Sequence, residues 1–357
     1  MAHAHEATSS GVPGVLVGID GSAGSERAFK VGLMIAKQRQ WPLRLIGTFI
    51  RPVVTDDYYV RQLDQYRAEA ANSVQDLLDE YSARAAEAGV KVSTRTAEGD
   101  AGATLVDESR EARIAVVGKR GRNRFAGRFL GSVSGKLAAH SHCPTLVVPE
   151  RWESDSDTEL LAPEQDRPGA EAAHEEPVSL MEESTAREHG RRSFANVTDE
   201  LNFDSEIVVG VDVGDRATDV VHLASEAAGL VDSPLTLVSA APLNAQGHWY
   251  PNTVEHNLEL PNLRRRYTEH LEAMTQEVAA KSTGVPVRWQ FFDGSPAGVL
   301  SEASRTAALL VIGTRGHGGF AGLLLGSVSQ AVLNRAVCPV LVIPTHKPHR
   351  FHRSHKD

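Results

Sequence analysis

Short apolar runs alternate along this chain with longer segments in which apolar residues recur every three or four positions. The run Val15–Ile19 ends in Asp-Gly, which is typical of a buried parallel strand followed by a turn. Ser25–Gln38 has helical spacing, and Leu43–Phe49 is a second predicted strand. Tyr58–Ala88 has the stripe of a long amphipathic helix, with Gly89 as its C-terminal cap. We expect the core to receive the stripe, which comprises Leu63, Tyr66, Ala70, Leu77, Tyr81 and Ala85.

The alternation continues through a first unit and then starts again. The first unit has further strands at Val90–Thr96, Ile114–Val117 and Thr145–Val148, and further helices at Gly102–Ala112 and Ser132–Ala139. The second has strands at Ile207–Val211, Leu235–Ser239, Val285–Phe291, Leu309–Ile312 and Val340–Ile343. Five strands alternating with four helices favour an α/β fold of two tandem, doubly wound, five-stranded parallel sheets, each Rossmann-like, with right-handed crossovers.

The two units are copies of each other. Residues 118–149 match residues 313–344 at a constant offset of 195, including Gly-Ser-Val-Ser and Cys-Pro in both. Near the unit starts, VLVGIDGS (15–22) matches IVVGVDVG (207–214) at an offset of 192. Such extended self-similarity indicates a duplicated domain.

We therefore divide the 357 residues into two domains and three flanking segments. The domains are 14–149 and 206–345, with an N-terminal tail at 1–13, a linker at 150–205 and a His-rich basic tail at 346–357. Residues 150–206 hold 17 Asp or Glu and 5 Lys or Arg, more negative charge than the whole chain's net −9. This composition is typical of a flexible acidic spacer, although a regulatory or partner-binding segment is the open alternative.

Composition excludes several classes of protein. No apolar stretch approaches the ~18 residues of a membrane span, and no secretory signal is recognisable, so we expect a cytoplasmic protein that does not enter a membrane. The net charge of −9 argues against non-specific nucleic-acid binding. Two cysteines, Cys143 and Cys338, are too few for a disulfide framework. Each precedes a proline and is interpreted as a buried apolar residue, with redox sensing as the alternative.

The candidate chemistry lies where strands end. In open parallel sheets, ligands bind beyond the carboxyl ends of the strands, where the strand order reverses. Each unit has an aspartate after its first strand, Asp20 or Asp212, and a Gly-x2-Gly-x9-Gly-Ser loop after its fourth. Glycines let backbone N–H groups approach phosphate closely, and a serine at the following helix start can cap that helix beside an anion. The loops are Gly118, Gly121, Gly131 and Ser132 in the first unit, and Gly313, Gly316, Gly326 and Ser327 in the second.

Better-known phosphate and catalytic motifs do not fit. GSVSGKL at 131–137 has the wrong glycine spacing for a Walker A loop, and the dinucleotide fingerprint would have to follow the first strand. No nucleophile elbow, HExxH or kinase signature occurs. We therefore expect a binding protein with no catalytic residues, and at most a slow ATPase.

On these motifs the chain resembles tandem universal stress proteins of the A-type, ATP-binding subgroup, over about 270 of its 357 residues. The resemblance implies ATP, with Mg²⁺, as the ligand of both units and dimerisation through the last strand. Asp20 and Asp212 would contact the ribose or the metal, Gly18 and Gly210 would lie under the adenosine, and the backbone near Phe49 and Ala240 would meet the adenine. The implied phosphate-site residues are Gly118, Lys119, Arg120, Gly121, Arg122, Gly131, Ser132, Val133 and Ser134, then Gly313, Thr314, Arg315, Gly316, Gly318, Gly326, Ser327, Val328 and Ser329.

The two units are not identical at this site. The first loop carries five cations, which either strengthen phosphate binding or face solvent, whereas the second loop is mostly small and apolar. The second unit also has Val213-Gly214 in place of Gly21-Ser22.

Three functions and two assemblies are compatible with these features. The first function is an ATP-binding stress or dormancy regulator whose occupancy biases conformation or the binding of an unidentified protein partner. The others are a nucleotide-independent interaction module and a slow ATPase. The fifth strands could pair within one chain as a pseudo-dimer, or between chains as a homodimer.

Overall fold

A computed structural model describes residues 12–50, 60–121, 130–150, 201–203, 206–213, 217–231, 233–243, 254–281, 284–316 and 324–345. Most of the predicted tails and linker, at 1–13, 150–205 and 346–357, lies outside these ranges. No helix among the described residues has both the length and the apolar character needed to cross a bilayer.

The first half contains β1 Gly14–Gly18, α1 Ala23–Arg39, β2 Leu43–Phe49, α2 Val60–Glu87, β3 Val92–Glu98, α3 Ala101–Glu108, β4 Ala112–Gly118, α4 Ser132–His140 and β5 Thr145–Val148. The second contains β6 Ile207–Gly210, α5 Ala217–Val231, β7 Leu235–Ala241, α6 Val254–Lys281, β8 Val287–Asp293, α7 Pro296–Ala303, β9 Leu309–Gly313, α8 Ser327–Arg335 and β10 Val340–Ile343. The α/β prediction is thereby confirmed in both halves.

The ten strands of the described residues form one sheet, in the order β3-β2-β1-β4-β5-β10-β9-β6-β7-β8. Within each half every neighbouring pair is parallel, as predicted. The halves join where β5 and β10 pair antiparallel, with Leu146 opposite Leu341 at the centre of the register. The fifth strands therefore pair within one chain, and the edge strands of the sheet are β3 and β8.

Alternate strand residues supply two cores, one on each face of the sheet. Val15 and Val17 face the side covered by α1, α2, α5 and α6, whereas Leu16 faces the side covered by α3, α4, α7 and α8. Both cores continue across the junction, because Leu146 and Leu341 belong to the first and Val147 and Val340 to the second.

The stripe of α2 is only partly core. Leu78, Tyr81 and Ala85 are buried in the C-terminal half of the helix, but Tyr66 is 54% exposed. The side chain of Leu63 lies outside the described residues. The predicted cap is confirmed: Gly89 has φ of 77°, and its N–H donates to the carbonyl of Ala86 at 2.9 Å.

One buried hydroxyl weakens the junction. Thr145 is 1% exposed, and its Oγ1 finds no hydrogen-bond partner in the described part of the chain. Thr236 is equally buried, but its Oγ1 bonds to Glu206 and accepts from Arg288 Nε at 2.9 Å. An unpartnered buried polar group costs about 1–3 kcal/mol, so the two threonines should respond oppositely to replacement by valine.

We predict that Thr145→Val raises the free energy of unfolding by about 1 kcal/mol, because it removes the unpartnered hydroxyl at nearly constant volume. Thr236→Val, the matched control, should lower it by about 1 kcal/mol, because it removes the hydrogen bonds of the hydroxyl to Glu206 and Arg288, which keep their ion pair with each other. Urea unfolding midpoints measure both changes. A loss of stability in Thr145→Val would contradict this assignment.

Both cysteines lie just before a fifth strand and are buried, with exposures of 4% for Cys143 and 5% for Cys338. Burial raises the pKa of the Cys143 thiol to about 11 and the pKa of the Cys338 thiol to about 12. Because the thiolate is the reactive form, these environments favour the structural interpretation over redox sensing.

At pH 8 we therefore expect Ellman's reagent to modify the native chain very slowly. About one thiol in a thousand is ionised at a pKa of 11, three pH units above the solution. Unfolding in urea should restore rapid reaction of two thiols per chain. Fast modification of the folded protein would indicate reactive thiols and favour redox sensing instead.

Candidate functional site

The predicted site residues meet where the strand order of each half reverses. β1 pairs with β2 on one side and with β4 on the other, so the segments after β1 and β4 lie at the same edge of the sheet. β6 has the same relation to β7 and β9 in the second half. Asp20 and the first loop therefore lie side by side, as do Asp212 and the second loop.

The second glycine of each loop touches the aspartate. A methyl group added at Gly121 would lie 2.4 Å from Oδ2 of Asp20, and one added at Gly316 would lie 2.4 Å from Oδ2 of Asp212. Both distances are shorter than any normal contact, so only glycine fits at these positions with the carboxylate in place. This closeness is the strongest geometric feature that the two halves share.

A backbone N–H holds each carboxylate. Asp20 Oδ1 accepts from the N–H of Ser22 at 3.0 Å, within the turn that leads to α1. Asp212 Oδ1 accepts from the N–H of Val213 at 2.8 Å. Both aspartates are half-buried, and their Oδ2 atoms lie toward the loops.

The base of each loop is closed by hydrogen bonds. Gly131 N–H donates to the Lys119 carbonyl at 2.9 Å, and Gly326 N–H donates to the Thr314 carbonyl at 2.7 Å. The buried Ser134 hydroxyl also donates to the Lys119 carbonyl, at 2.8 Å. The buried Ser329 hydroxyl donates to the Gly313 carbonyl at 2.7 Å. The structure thus places both predicted serine hydroxyls on loop backbone, where they keep each loop against its helix.

The loops end at helix N-termini that have no side-chain cap in the described structure. Gly131 is the N-cap residue of α4 and Gly326 that of α8, each in extended conformation. Ser132 and Ser327 are the first helical residues, so the prediction that a serine caps these helices is wrong. Among the described residues no side chain caps either helix, so first-turn N–H groups such as those of Ser132, Val133, Ser327 and Val328 point to where an anion would bind.

Four of the other predicted glycines lie where neighbouring backbone or side-chain atoms leave no room for a methyl group. A methyl group at Gly118 would lie 2.5 Å from the carbonyl oxygen of Gly24 in α1, a residue that carried no signal in the sequence. At Gly313 it would lie 2.8 Å from the Thr345 side chain. At Gly18 and Gly210 it would lie 2.8 Å from the leucine side chains of α3 and α7.

The loop cations that the structure describes are engaged with protein groups. The Lys119 ammonium donates to the carbonyls of Asn334 and Ala336, at 2.8 and 3.3 Å. Arg120 forms an ion pair with Glu150 at 3.3 Å. A phosphate role for either side chain would require these contacts to break. Arg122 and Gly318 lie outside the described residues.

In the second loop, Thr314 is 1% exposed and shares a hydrogen bond with the Thr345 hydroxyl at 2.9 Å. Arg315 Nε donates to the carbonyl of Leu324 at 3.4 Å.

At the predicted adenine edge, Phe49 ends β2, and its carbonyl accepts from Gly99 N–H at 2.9 Å. The strand registers pair Phe49 with Glu98 and Ala241 with Asp293, so the counterpart of Phe49 is Ala241. The predicted Ala240 lies one residue earlier.

Tyr267 of α6, which was not among the predicted site residues, is half-buried near the second site. Burial and the negative charge of Asp212 raise the pKa of the Tyr267 phenol. Its ring lies 5.2 Å from that of Phe291. The repeat gave no signal for Tyr267, because the first unit has no tyrosine at the corresponding place in α2.

Comparison with known proteins agrees with the duplicated fold. Universal stress protein Rv1996 of Mycobacterium tuberculosis H37Rv is 27% identical over 345 residues, covering 92% of this chain and 94% of that protein. Universal stress protein Rv2623 of the same strain is 29% identical over 336 residues, covering 92% and 95%. The crystal structure of a universal stress protein from Archaeoglobus fulgidus DSM 4304 is 18% identical with a TM-score of 0.58, covering 93% and 98%.

The Universal stress protein family model matches residues 14–149 and again residues 205–344. One match for each half, together covering most of the chain, shows that this protein belongs to the universal stress protein family.

Proposed function

We propose that each half binds one nucleotide, with ATP as the ligand, between its aspartate and its glycine loop. The observation that carries this proposal is the repeated contact of Asp20 with Gly121 and of Asp212 with Gly316. Two diverged copies have kept a glycine where only a glycine fits against the carboxylate. Such an arrangement brings backbone N–H groups and an acidic side chain to one edge, which suits a phosphate–ribose ligand.

The uncapped N-termini of α4 and α8 support phosphate as the chemistry of the ligand. First-turn N–H groups and the positive end of the helix dipole attract anions, and the exposed Ser132 and Ser327 lie at these ends. Oxygen atoms of a nucleotide would complete the hydrogen bonding of the first turns.

Magnesium would accompany the nucleotide. Among the described residues no group of three His, Cys, Asp or Glu side chains could hold a metal ion by itself. Mg²⁺ is usually bound by one or two carboxylates together with substrate phosphates, so Asp20 and Asp212 fit a metal that the nucleotide brings.

The proposed role is regulatory rather than catalytic. A nucleotide shifts a conformational equilibrium only through a difference in affinity between two states. The loops lie beside the β5–β10 junction, so a change in the loops could reach the packing of the halves and the surface offered to a protein partner.

We predict that Gly121→Ala weakens MgATP binding at the first site and Gly316→Ala at the second, each by about 10- to 100-fold. The added methyl group displaces the carboxylate and removes about 1.5–3 kcal/mol of charged contacts. Isothermal titration calorimetry on the full chain would measure two bound nucleotides per chain in the parent, and in each variant one site of unchanged affinity and one weakened site.

Gly135→Ala and Gly229→Ala are matched controls. Both glycines lie in helices, where an added methyl group meets only ordinary contacts at 3.4 and 3.7 Å. These changes should leave both affinities unaltered. Gly118→Ala is less informative, because its methyl group would strike the backbone of Gly24 and disturb folding. Unchanged binding in Gly121→Ala and Gly316→Ala would overturn the site assignment.

We also predict phosphate release from MgATP close to the uncatalysed background. Rapid hydrolysis requires a group that positions water and charge that stabilises the transition state, and the sequence motifs supply neither. A steady-state phosphate assay provides the measurement. Sustained turnover that Asp20→Ala abolishes would instead establish an ATPase.

A further inference from the structure

The second half of the chain holds the glycine loop of the first half. Asn334, in the last turn of α8, accepts a hydrogen bond through Oδ1 from the N–H of Leu130 at 2.8 Å. Leu130 immediately precedes Gly131, the N-cap residue of α4. In return, the Lys119 ammonium caps the end of α8 by donating to the carbonyls of Asn334 and Ala336.

The antiparallel junction explains why these residues meet. β10 pairs with β5 so that Val340, at its start, lies opposite Val147 near the end of β5. β4 ends beside the end of β5, with Gly118 opposite Val148. The C-terminal turn of α8, which leads into β10, therefore lies at the mouth of the first loop. The last carbonyls of a helix attract cations, which suits the Lys119 ammonium.

The second loop has a different environment. The counterpart of Lys119 is Thr314, whose hydroxyl bonds to Thr345 within its own half. The counterpart of Asn334 is Ala139, a side chain with no amide. The same junction thus gives the first loop a hydrogen-bonded support from the opposite half, and gives the second loop a threonine pair of its own.

We propose that Asn334 is a positioning residue for the first nucleotide site, and that the second half thereby sets the affinity of the first site. The Asn334–Leu130 bond fixes the backbone just before the α4 N-terminus, where the proposed phosphate contacts begin. Loss of the bond leaves this segment free to move, and the nucleotide must then order it on binding. The inference rests on the proposed function, since it concerns the affinity of the same site.

The test measures each site separately in the full chain. MgATP is titrated calorimetrically into Gly316→Ala, whose stronger binding event reports the first site, and into Gly121→Ala, whose stronger event reports the second. Adding Asn334→Ala should weaken the first site about 2- to 10-fold, the range for loss of one hydrogen bond, and leave the second unchanged. Hydrogen exchange should also show faster exchange of the Leu130 amide.

Gln330→Ala is the matched control, because it truncates an exposed amide one turn earlier in α8. It should leave the first site unaltered. A first-site affinity that Asn334→Ala does not change would overturn the inference, and so would equal weakening of both sites, which would indicate a general loss of structure. If Gly316→Ala with Asn334 intact binds no MgATP, the proposed function itself fails at the first site, and the inference fails with it.

Discussion

The antiparallel pairing of β5 with β10 is the constraint on which the rest of the architecture depends. A four-residue strand with buried side chains would leave an apolar edge if either half were alone. By joining these edges, the chain converts two five-stranded sheets into one and extends both cores across the junction. The pairing also brings the end of α8 to the first loop, so the fold and the site are linked by the same strand contact.

Within each half, one geometric relation builds the candidate site. Parallel strands bring their carboxyl ends to one edge, and the reversal of strand order leaves an opening beside β1. The aspartate after the first strand and the loop after the fourth enter this opening from opposite sides. With the carboxylate in its present position, the contact leaves no room for a side chain at that loop position. Each site therefore combines loop backbone, an aspartate and the N-terminus of α4 or α8.

Much of this could be predicted from the sequence, because duplication makes each half a check on the other. The bounds of β2, β5 and β10 agree with their predicted ranges, and the aspartates and loops are brought together as their places after β1 and β4 indicated. The local apolar pattern was a less reliable guide to burial, because tertiary contacts decide which part of a helix is covered. Tyr66 follows the apolar stripe of α2 yet is exposed, since the buried part of that helix begins further along.

Contacts between the halves were beyond sequence reasoning. Lys119 looked like a phosphate ligand because it lies in a glycine loop, but its ammonium caps a helix of the other half. Asn334 carried no signal, because its role depends on which strand lies beside β5. Ala241 rather than Ala240 is the counterpart of Phe49 by strand register, and the 192-residue offset between the first strands leads to the same residue.

The central claim is that two similar sites, each between an aspartate and a glycine loop, bind phosphate through a helix N-terminus. A crystal structure of the full chain grown with Mg²⁺ and a non-hydrolysable ATP analogue would test it most directly. We predict one nucleotide in each half, with phosphate oxygens within hydrogen-bond distance of the Ser132 and Ser327 N–H groups and the ribose or the metal beside Asp20 and Asp212. Nucleotide bound elsewhere, or absent from both loops at saturating concentration, would contradict the account.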